Sequence, residues 1–541
     1  MDKDSAEEHA TIEPPRVEVE TQLAKILSSS LFSSSKRLAD FLQFITQRTL
    51  DGEANTVQQS TIAAAVYQRD ASFNPSSDPL VRVEANRLRK ALTKYYSEIG
   101  QNDPLVISIP LRSYVPRFVP ADKSIGETPL QLHATDPSEP PAWQLPTLGV
   151  LPFNSQGTGA EADQLMFEEI LSTDLSQFPT VRVLPFSEPT NAAKQSDNIA
   201  LARELGLDFA LGGVIRCSSS QLCIDVSLLD VNSREQLWSH RYETGSSDGE
   251  LFDFPYQVSR RTSALVADAY GAILKRMSTR MRESTPPESA LYEAVLRFFE
   301  AQQAPEAEKI QTCLSALESA APLSQHSAEY FALLGYCLAD TTLFQRDHDD
   351  DNTRETALRH IRQAVAMEPT SSLVQNSRAF AAMLTGDLYA VADASHSMVQ
   401  YLPNSAFVLG SAGFFLATIG EDKNAMDYHN QSLELNLRHP AWFYITPCFY
   451  NINRGQYELA LRYAGLIGLN DFFWEQILKA SLLGHLGRYD AARIEGKKLL
   501  TQIPDFIARH DQLICVYALY PPLARQIKRG LELAGILPGN T

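Results

Sequence analysis

Apolar positions change their period along this chain. From residue 16 to about residue 100 they recur at helical spacing. Leu23, Ile26 and Leu27 mark a helix over 22–31. Leu38, Phe41, Leu42, Ile45 and Leu50 mark a second over 36–50, and 61–67 reads as a short third. A fourth starts at Asp78-Pro79 and runs to Tyr96. Asp is a good N-cap there and Pro a good first helical residue. On this helix Val81, Ala85, Leu88, Leu92 and Tyr95 form one apolar stripe. Residues 106–109, a turn at 111–113 and residues 114–118 then read as a short hairpin.

Residues 120–146 hold Pro120, Pro129, Pro137, Pro140, Pro141 and Pro146 among polar residues, the signature of a linker. Beyond it, strand and helix patterns alternate. Strands are expected over 147–153, 181–184 and 209–216, with helices over 163–177 and 198–205 between them. Two more strands, 223–229 and 236–242, join through 230–234, and one long helix follows over 252–277. The segment is α/β with a meander at its end.

From 285 to 541 the pattern is almost wholly helical and repeats itself. Pro369 and Pro403 are 34 residues apart, as are Gly386 and Gly420. Gly455 and Gly487 follow at 35 and 32. Ala425, Ala460 and Ala492 each stand five residues after their glycine, and Val391 takes that place after Gly386. A glycine between two helices supplies a left-handed turn. A small residue then lets the second helix pack closely on the first. One such pair cannot bury its apolar face alone, so stacking must build the core.

Charge separates the chain into two parts. Overall it has 541 residues and a net charge of −18. Residues 16–118 carry 13 Lys/Arg and 10 Asp/Glu, a net of +3, and the remainder carries −21. A uniformly basic nucleic-acid coat protein is excluded, whereas a basic module on an acidic body points to nucleic acid at one end. The fourth helix fits that reading. Opposite its apolar stripe stand Arg82, Asn86, Arg89, Lys90 and Thr93, flanked by Arg87 and Lys94. Arg and Asn can read guanine and adenine edges in a major groove, and Lys can reach phosphates.

The run Val81-Arg82-Val83-Glu84-Ala85-Asn86-Arg87-Leu88-Arg89-Lys90-Ala91-Leu92 and the ending Ser113-Tyr114-Val115-Pro116-Arg117-Phe118 resemble the OmpR/PhoB-type winged-helix family. The resemblance implies a winged helix-turn-helix over 16–119 whose helix enters the major groove of double-stranded DNA. The hairpin, with Arg112 at its turn, would contact the backbone or minor groove. Because affinity rests on phosphate neutralisation, a homodimer would strengthen such binding. Gly149-Val150-Leu151-Pro152-Phe153, Ala202–Asp208, Leu211–Arg216 and Leu228-Leu229-Asp230 with Leu237-Trp238-Ser239 resemble the TolB-N/FlgO-like domain, which covers 147–277. The repeat over 285–541 resembles tetratricopeptide arrays, with Tyr457 and Tyr489 two residues after their glycines. That resemblance implies a groove for a protein or peptide. The expected fold class is multidomain α and α/β. After a disordered lead at 1–15 come a winged helix, a linker at 120–146, an α/β domain and an all-α solenoid.

Other chemistry is set aside on the residues. Gly157-Thr158-Gly159-Ala160-Glu161-Ala162 matches a dinucleotide fingerprint, with Glu188 after the next strand. Residues 154–156 separate the strand from the first glycine, however, which spoils the tight turn. The acidic run 347–351 lacks the spacing, glycine and final glutamate of a calcium loop. Six scattered cysteines read as reduced core thiols, and eleven histidines show no ligand spacing. No cofactor, metal or catalytic set is expected. The rival readings are a nucleotide-binding enzyme of the adenylate-cyclase-labelled kind and a repeat scaffold that has lost DNA. Met1–Glu8 is acidic, unlike a signal peptide, and the uncharged stretch 400–420 is too polar to span a membrane. The expectation is a cytoplasmic bacterial signalling or transcriptional regulator.

Overall fold

The computed structural model describes residues 15–33, 35–53, 56–69, 80–100, 103–109, 114–120, 145–157, 160–184, 198–217, 221–244, 248–283, 290–344, 351–468 and 473–539. It contains two compact units, 1–140 and 141–541. The lead at 1–14, the helix start at Asp78-Pro79, Arg112, most of the Pro-rich linker, Gly159, Glu188 and residues 347–350 of the acidic run lie outside the described residues.

The first unit is built from helices α1 (Arg16–Ser28), α2 (Ser30–Ser33), α3 (Lys36–Leu50), α4 (Gln59–Tyr67) and α5 (Leu80–Glu98). Strands β1 (Leu105–Ser108) and β2 (Arg117–Pro120) follow and pair antiparallel, Ile107 opposite Phe118. The expected helix over 22–31 therefore starts six residues earlier and breaks at Ser29, whose N–H bonds the Ile26 carbonyl. The apolar stripe of α5 lies in the core: Val81, Ala85, Leu88 and Tyr95 are fully buried and Leu92 nearly so. They pack with Phe41, Leu42, Ile45 and Ile107.

The second unit opens with a mixed sheet ordered β5-β3-β6-β7-β8, with β4 pairing β6 beyond the end of β3. The strands are β3 (Thr147–Val150), β4 (Asn154–Gln156), β5 (Arg182–Leu184), β6 (Phe209–Cys217), β7 (Leu222–Asp230) and β8 (Glu235–Glu243). Contacts β3–β5, β3–β6 and β4–β6 are parallel, and β6–β7–β8 is an antiparallel meander. Helices α6 (Ala160–Leu175) and α7 (Asn198–Glu204) make the crossovers. Along β7, side chains alternate buried and half-buried, as a sheet with one covered face requires.

The single helix expected over 252–277 is two, α8 (Asp248–Ala267) and α9 (Ala272–Glu283). The break has a cause. The Asp268 carboxylate turns away to accept from Ser405 Oγ at 2.6 Å and from the Phe407 N–H at 3.1 Å. The Gly271 N–H returns to the Asp268 carbonyl. Burial pushes the Asp268 carboxyl up, and Ser405 and the backbone donors pull against it. Nearby, Asn404 donates to Asp174 at 3.0 Å and accepts from Arg260 at 2.9 Å. These bonds tie the α/β region to the helices that follow. One apolar core runs through both, so the stretches expected as separate domains at 147–277 and 285–541 form one compact unit.

Consecutive helices of that region pack in pairs. They are α10 (Ala290–Gln303) with α11 (Ala307–Ala320), α12 (Ala328–Phe344) with α13 (Asp351–Met367), and α14 (Ser372–Thr385) with α15 (Leu388–Tyr401). Then come α16 (Ala406–Thr418) with α17 (Asp422–Leu435), α18 (Ile445–Asn453) with α19 (Tyr457–Ile467), and α20 (Phe473–His485) with α21 (Tyr489–Gln502). Helices α22 (Phe506–Cys515) and α23 (Pro521–Leu533) close the chain, α23 packing on α20. The repeat read from the sequence is a physical one. Gly386, Gly420, Gly455 and Gly487 all adopt positive φ, between 69° and 81°, at the turn inside a pair. Val391, Ala425, Ala460 and Ala492 are all buried.

The cysteines depart from the expectation of core thiols. Cys313, Cys337 and Cys448 are buried, but Cys515 is exposed and Cys217 and Cys223 are half-buried. The last two sit at the end of the β6–β7 ladder, where Arg216 pairs with Cys223 and Cys217 with Leu222.

Candidate nucleic-acid interface

Helix α5 and the β1–β2 hairpin are held together by a small set of polar contacts. The Asp103 carboxylate is buried before β1. It accepts from Gln22 on α1 at 2.6 Å, from the Tyr95 hydroxyl at 2.8 Å and from Lys25. Burial would raise its pKa, but these donors outweigh burial and hold it below the ordinary 3.8. Next on α5, the Tyr96 hydroxyl accepts from the Ile107 N–H at 2.7 Å. One further contact is made by Arg89, whose Nε donates to the Ile109 carbonyl at 3.1 Å.

Arg89 stands on α5 as expected, yet it is half-buried and fastens the strand that leads into the hairpin turn. Burial lowers its pKa, the mark of a guanidinium drawn away from water. A basic side chain on a three-methylene stem at the edge of the apolar stripe can lay that stem on the core and reach a main-chain carbonyl. Arg89 therefore positions the hairpin, and Arg89→Ala should lower stability as well as any affinity for DNA.

Arg87 is exposed and pairs at 2.9 Å with Glu84, which is itself buried on the inner side of the helix. Arg82, Asn86, Lys90, Thr93 and Lys94 all belong to α5. Their positions fall off the buried stripe, as the helical pattern places them. Arg112 lies outside the described residues. A cation the sequence reading passed over is Arg117, exposed at the start of β2. Its signal was available, since it is the one basic residue in the second strand. Lys36 and Arg37 are likewise exposed on the first turn of α3.

The glycine loop after β4 does not behave as a phosphate cradle at its first glycine. Gly157 has φ +105°, and a Cβ there would lie 1.9 Å from the Cys217 carbonyl oxygen. The close approach is to the chain's own β6. Gly157→Ala is expected to cost about 1–3 kcal/mol by overpacking and strain. Urea unfolding of the full chain measures it, and an unchanged midpoint would show that β4 can give way. Among the described residues no group of three or more His, Cys, Asp or Glu is placed to hold a metal ion. No described helix is long and apolar enough to cross a membrane.

Comparison with known proteins bears on the second unit. Residues 144–252 match the family described as HilA/YgeH-like transcriptional regulator, second domain. That span contains all six strands of the sheet, and the match supports a transcriptional regulator. Over 141 residues the chain is 27% identical to a protein of Rhizobium meliloti (strain 1021) named "Putative adenylate cyclase 3". The stretch is 26% of this chain and spans 23% of that protein's length. Among solved structures, TolB from Acinetobacter baumannii is similar over 25% of this chain and 29% of that one. Identity there is 19% and the TM-score 0.18.

Proposed function

We propose that this chain is a transcriptional regulator whose residues 16–119 form a winged helix-turn-helix on double-stranded DNA. The observation that carries the reading is α5 itself. One face is fully committed to the core, while Arg82, Asn86, Lys90, Thr93 and Lys94 occupy positions off that face. A hairpin bearing exposed Arg117 is fastened to the same helix through Arg89 and Tyr96. The match of 144–252 to a transcriptional regulator's domain supports the same class. In this reading Arg82 and Asn86 meet base edges, Arg87, Lys90 and Lys94 meet phosphates, and Arg112 and Arg117 serve the hairpin. The α/β region, of TolB-N/FlgO-like resemblance, relays a signal. The helical pairs, of tetratricopeptide resemblance, take a protein or peptide. The chain acts in the cytoplasm, with no catalytic activity of its own.

The test is selection of bound fragments from genomic DNA, followed by titration of one selected site. Arg82→Ala is expected to weaken binding by roughly tenfold or more, since one bidentate contact contributes about 1–3 kcal/mol. Affinity should fall with salt at a log–log slope near about −0.9 per phosphate neutralised. Failure to enrich any sequence, together with unchanged affinity in Arg82→Ala, would remove α5 from the interface. The cyclase reading rests on the Rhizobium meliloti protein's name, and formation of cyclic AMP from ATP above blank would revive it.

A further inference from the structure

Between the helices of this region lies a half-open pocket of about 50 Å³ that the proposed DNA-binding role does not use. It is walled by the first helix of successive pairs. Helix α12 supplies Tyr336 and Asp340, α14 supplies Asn376 and Phe380, and α16 supplies Ser411 and Phe414. Asp340, Asn376 and Ser411 stand 36 and 35 residues apart, one polar position per repeat. All three are more than nine-tenths buried.

Buried polar atoms are nearly always partnered. Here the Asn376 Oδ1 and the Ser411 Oγ have no hydrogen-bond partner, and both line the same cavity. Asp340 faces it as well, and burial pushes its carboxyl up to about 7. Most of the remaining surface is aromatic, with Gln302, Pro305 and Ile445 beside it. Tyr336 stacks on Phe380 with ring centroids 4.2 Å apart and 18° between planes. Trp442 meets Phe414 edge to face at 5.4 Å, its indole N–H held by the Gln302 carbonyl at 2.7 Å. No Lys, Arg or His is among the described lining residues.

The charge of this set is one-sided. An ionised Asp340 carboxylate only accepts, the Asn376 Oδ1 and Ser411 Oγ can accept beside it, and aromatic faces attract cations. An anion would meet Asp340 with no cationic side chain among the described lining residues to offset the repulsion. A space of that size takes a few water-sized groups, so it admits an ammonium head and the carbons next to it while the rest of the ligand stays in the open mouth. We propose that this cavity binds a primary ammonium group carried on an apolar body, its N–H donors shared among Asp340, Asn376 and Ser411. The ammonium comes from a free small amine or from a lysine side chain of a peptide. The proposal stands whether or not α5 binds DNA.

The experiment is calorimetric titration of the full chain at about pH 8, where both ammonium and carboxylate are charged. Probes are n-butylamine, benzylamine and Nα-acetyl-lysine N-methylamide, with n-butanol and benzyl alcohol as neutral counterparts. At least one amine should bind saturably, and its alcohol at least about tenfold more weakly, as for a charge-assisted contact. Asp340→Asn should remove a buried charge, keep Tm at or above that of the parent and weaken amine binding at least about tenfold. Ser411→Ala, which removes one orphan oxygen, should weaken binding by a smaller factor and serves if Asp340→Asn fails to fold. Lysine-derivative binding equal to that of n-butylamine would assign the ammonium to a peptide, and binding of free amines alone would assign it to a small molecule. Absence of saturable binding by every amine, equal binding of the alcohols, or undiminished binding by a folded Asp340→Asn would overturn the proposal.

Discussion

Asp230→Ala is expected to destabilise the 141–541 unit by about 3–5 kcal/mol, the cost of stranding buried charge. Asp230 ends β7 with no exposure at all. Its Oδ1 accepts from Arg280 at 2.6 Å and from the Asn232 and Ser233 N–H groups at 3.1 Å. Its Oδ2 accepts from Arg276 at 2.7 Å. The carboxylate thus closes the β7–β8 turn and clamps α9 onto the sheet. Burial alone would raise its pKa, but the Ser233 N–H, Arg276 and Arg280 outweigh burial and hold it below the ordinary 3.8. A depressed carboxyl contributes stability that is present above about pH 4 and lost as pH falls through the folded-state value. Urea midpoints of parent and variant should therefore differ most at neutral pH and converge in acid. A neutral-pH difference below about 1 kcal/mol would mean that Arg276 and Arg280 escape to water at little cost.

Leu88→Ala is expected to cost the 1–140 unit about 2–5 kcal/mol. Leu88 is fully buried at the middle of α5, among Phe41, Leu42, Ile45 and Tyr95. For a module near a hundred residues this corresponds to a fall in Tm of roughly 10 °C or more. Scanning calorimetry of the full chain should show the loss in one transition and leave the other in place. Arg82→Ala, off the buried stripe, should leave both transitions unmoved. If Leu88→Ala and Arg82→Ala lowered stability alike, the assignment of a core face and an outer face on α5 would fail.

The candidate interface was legible to different depths. The stripe on α5 could be read at once, because a helix that buries one face must place apolar residues three and four apart. The role of Arg89 could not. Its spacing is that of a surface cation, and only the arrival of Ile109, twenty residues on, supplies the carbonyl that it meets. The break between α8 and α9 was hidden for a similar reason. Residues 252–277 carry a helical apolar pattern that runs past Gly271, and the carboxylate at Asp268 is claimed by Ser405 and Phe407, 137 and 139 residues further on. The short β4 strand was missed because Asn154-Ser155-Gln156 has no apolar alternation, its pairing to β6 being a matter of main chain alone.

Local order decides the rest of that division. Helices, strands, the meander and the glycine-punctuated repeat follow from spacing within a few residues, since backbone geometry and one-sided burial act over that range. Which residues become buried acceptors depends instead on neighbours brought from 30 to more than 200 positions away. Asp174 and Asn404 meet across 230 residues of chain. Asp340, Asn376 and Ser411 converge only because successive helix pairs stack in register. The polar residue at each position was visible beforehand. That they share one aromatic-walled cavity is a property of packing, which brings side chains together in space without regard to their distance along the sequence.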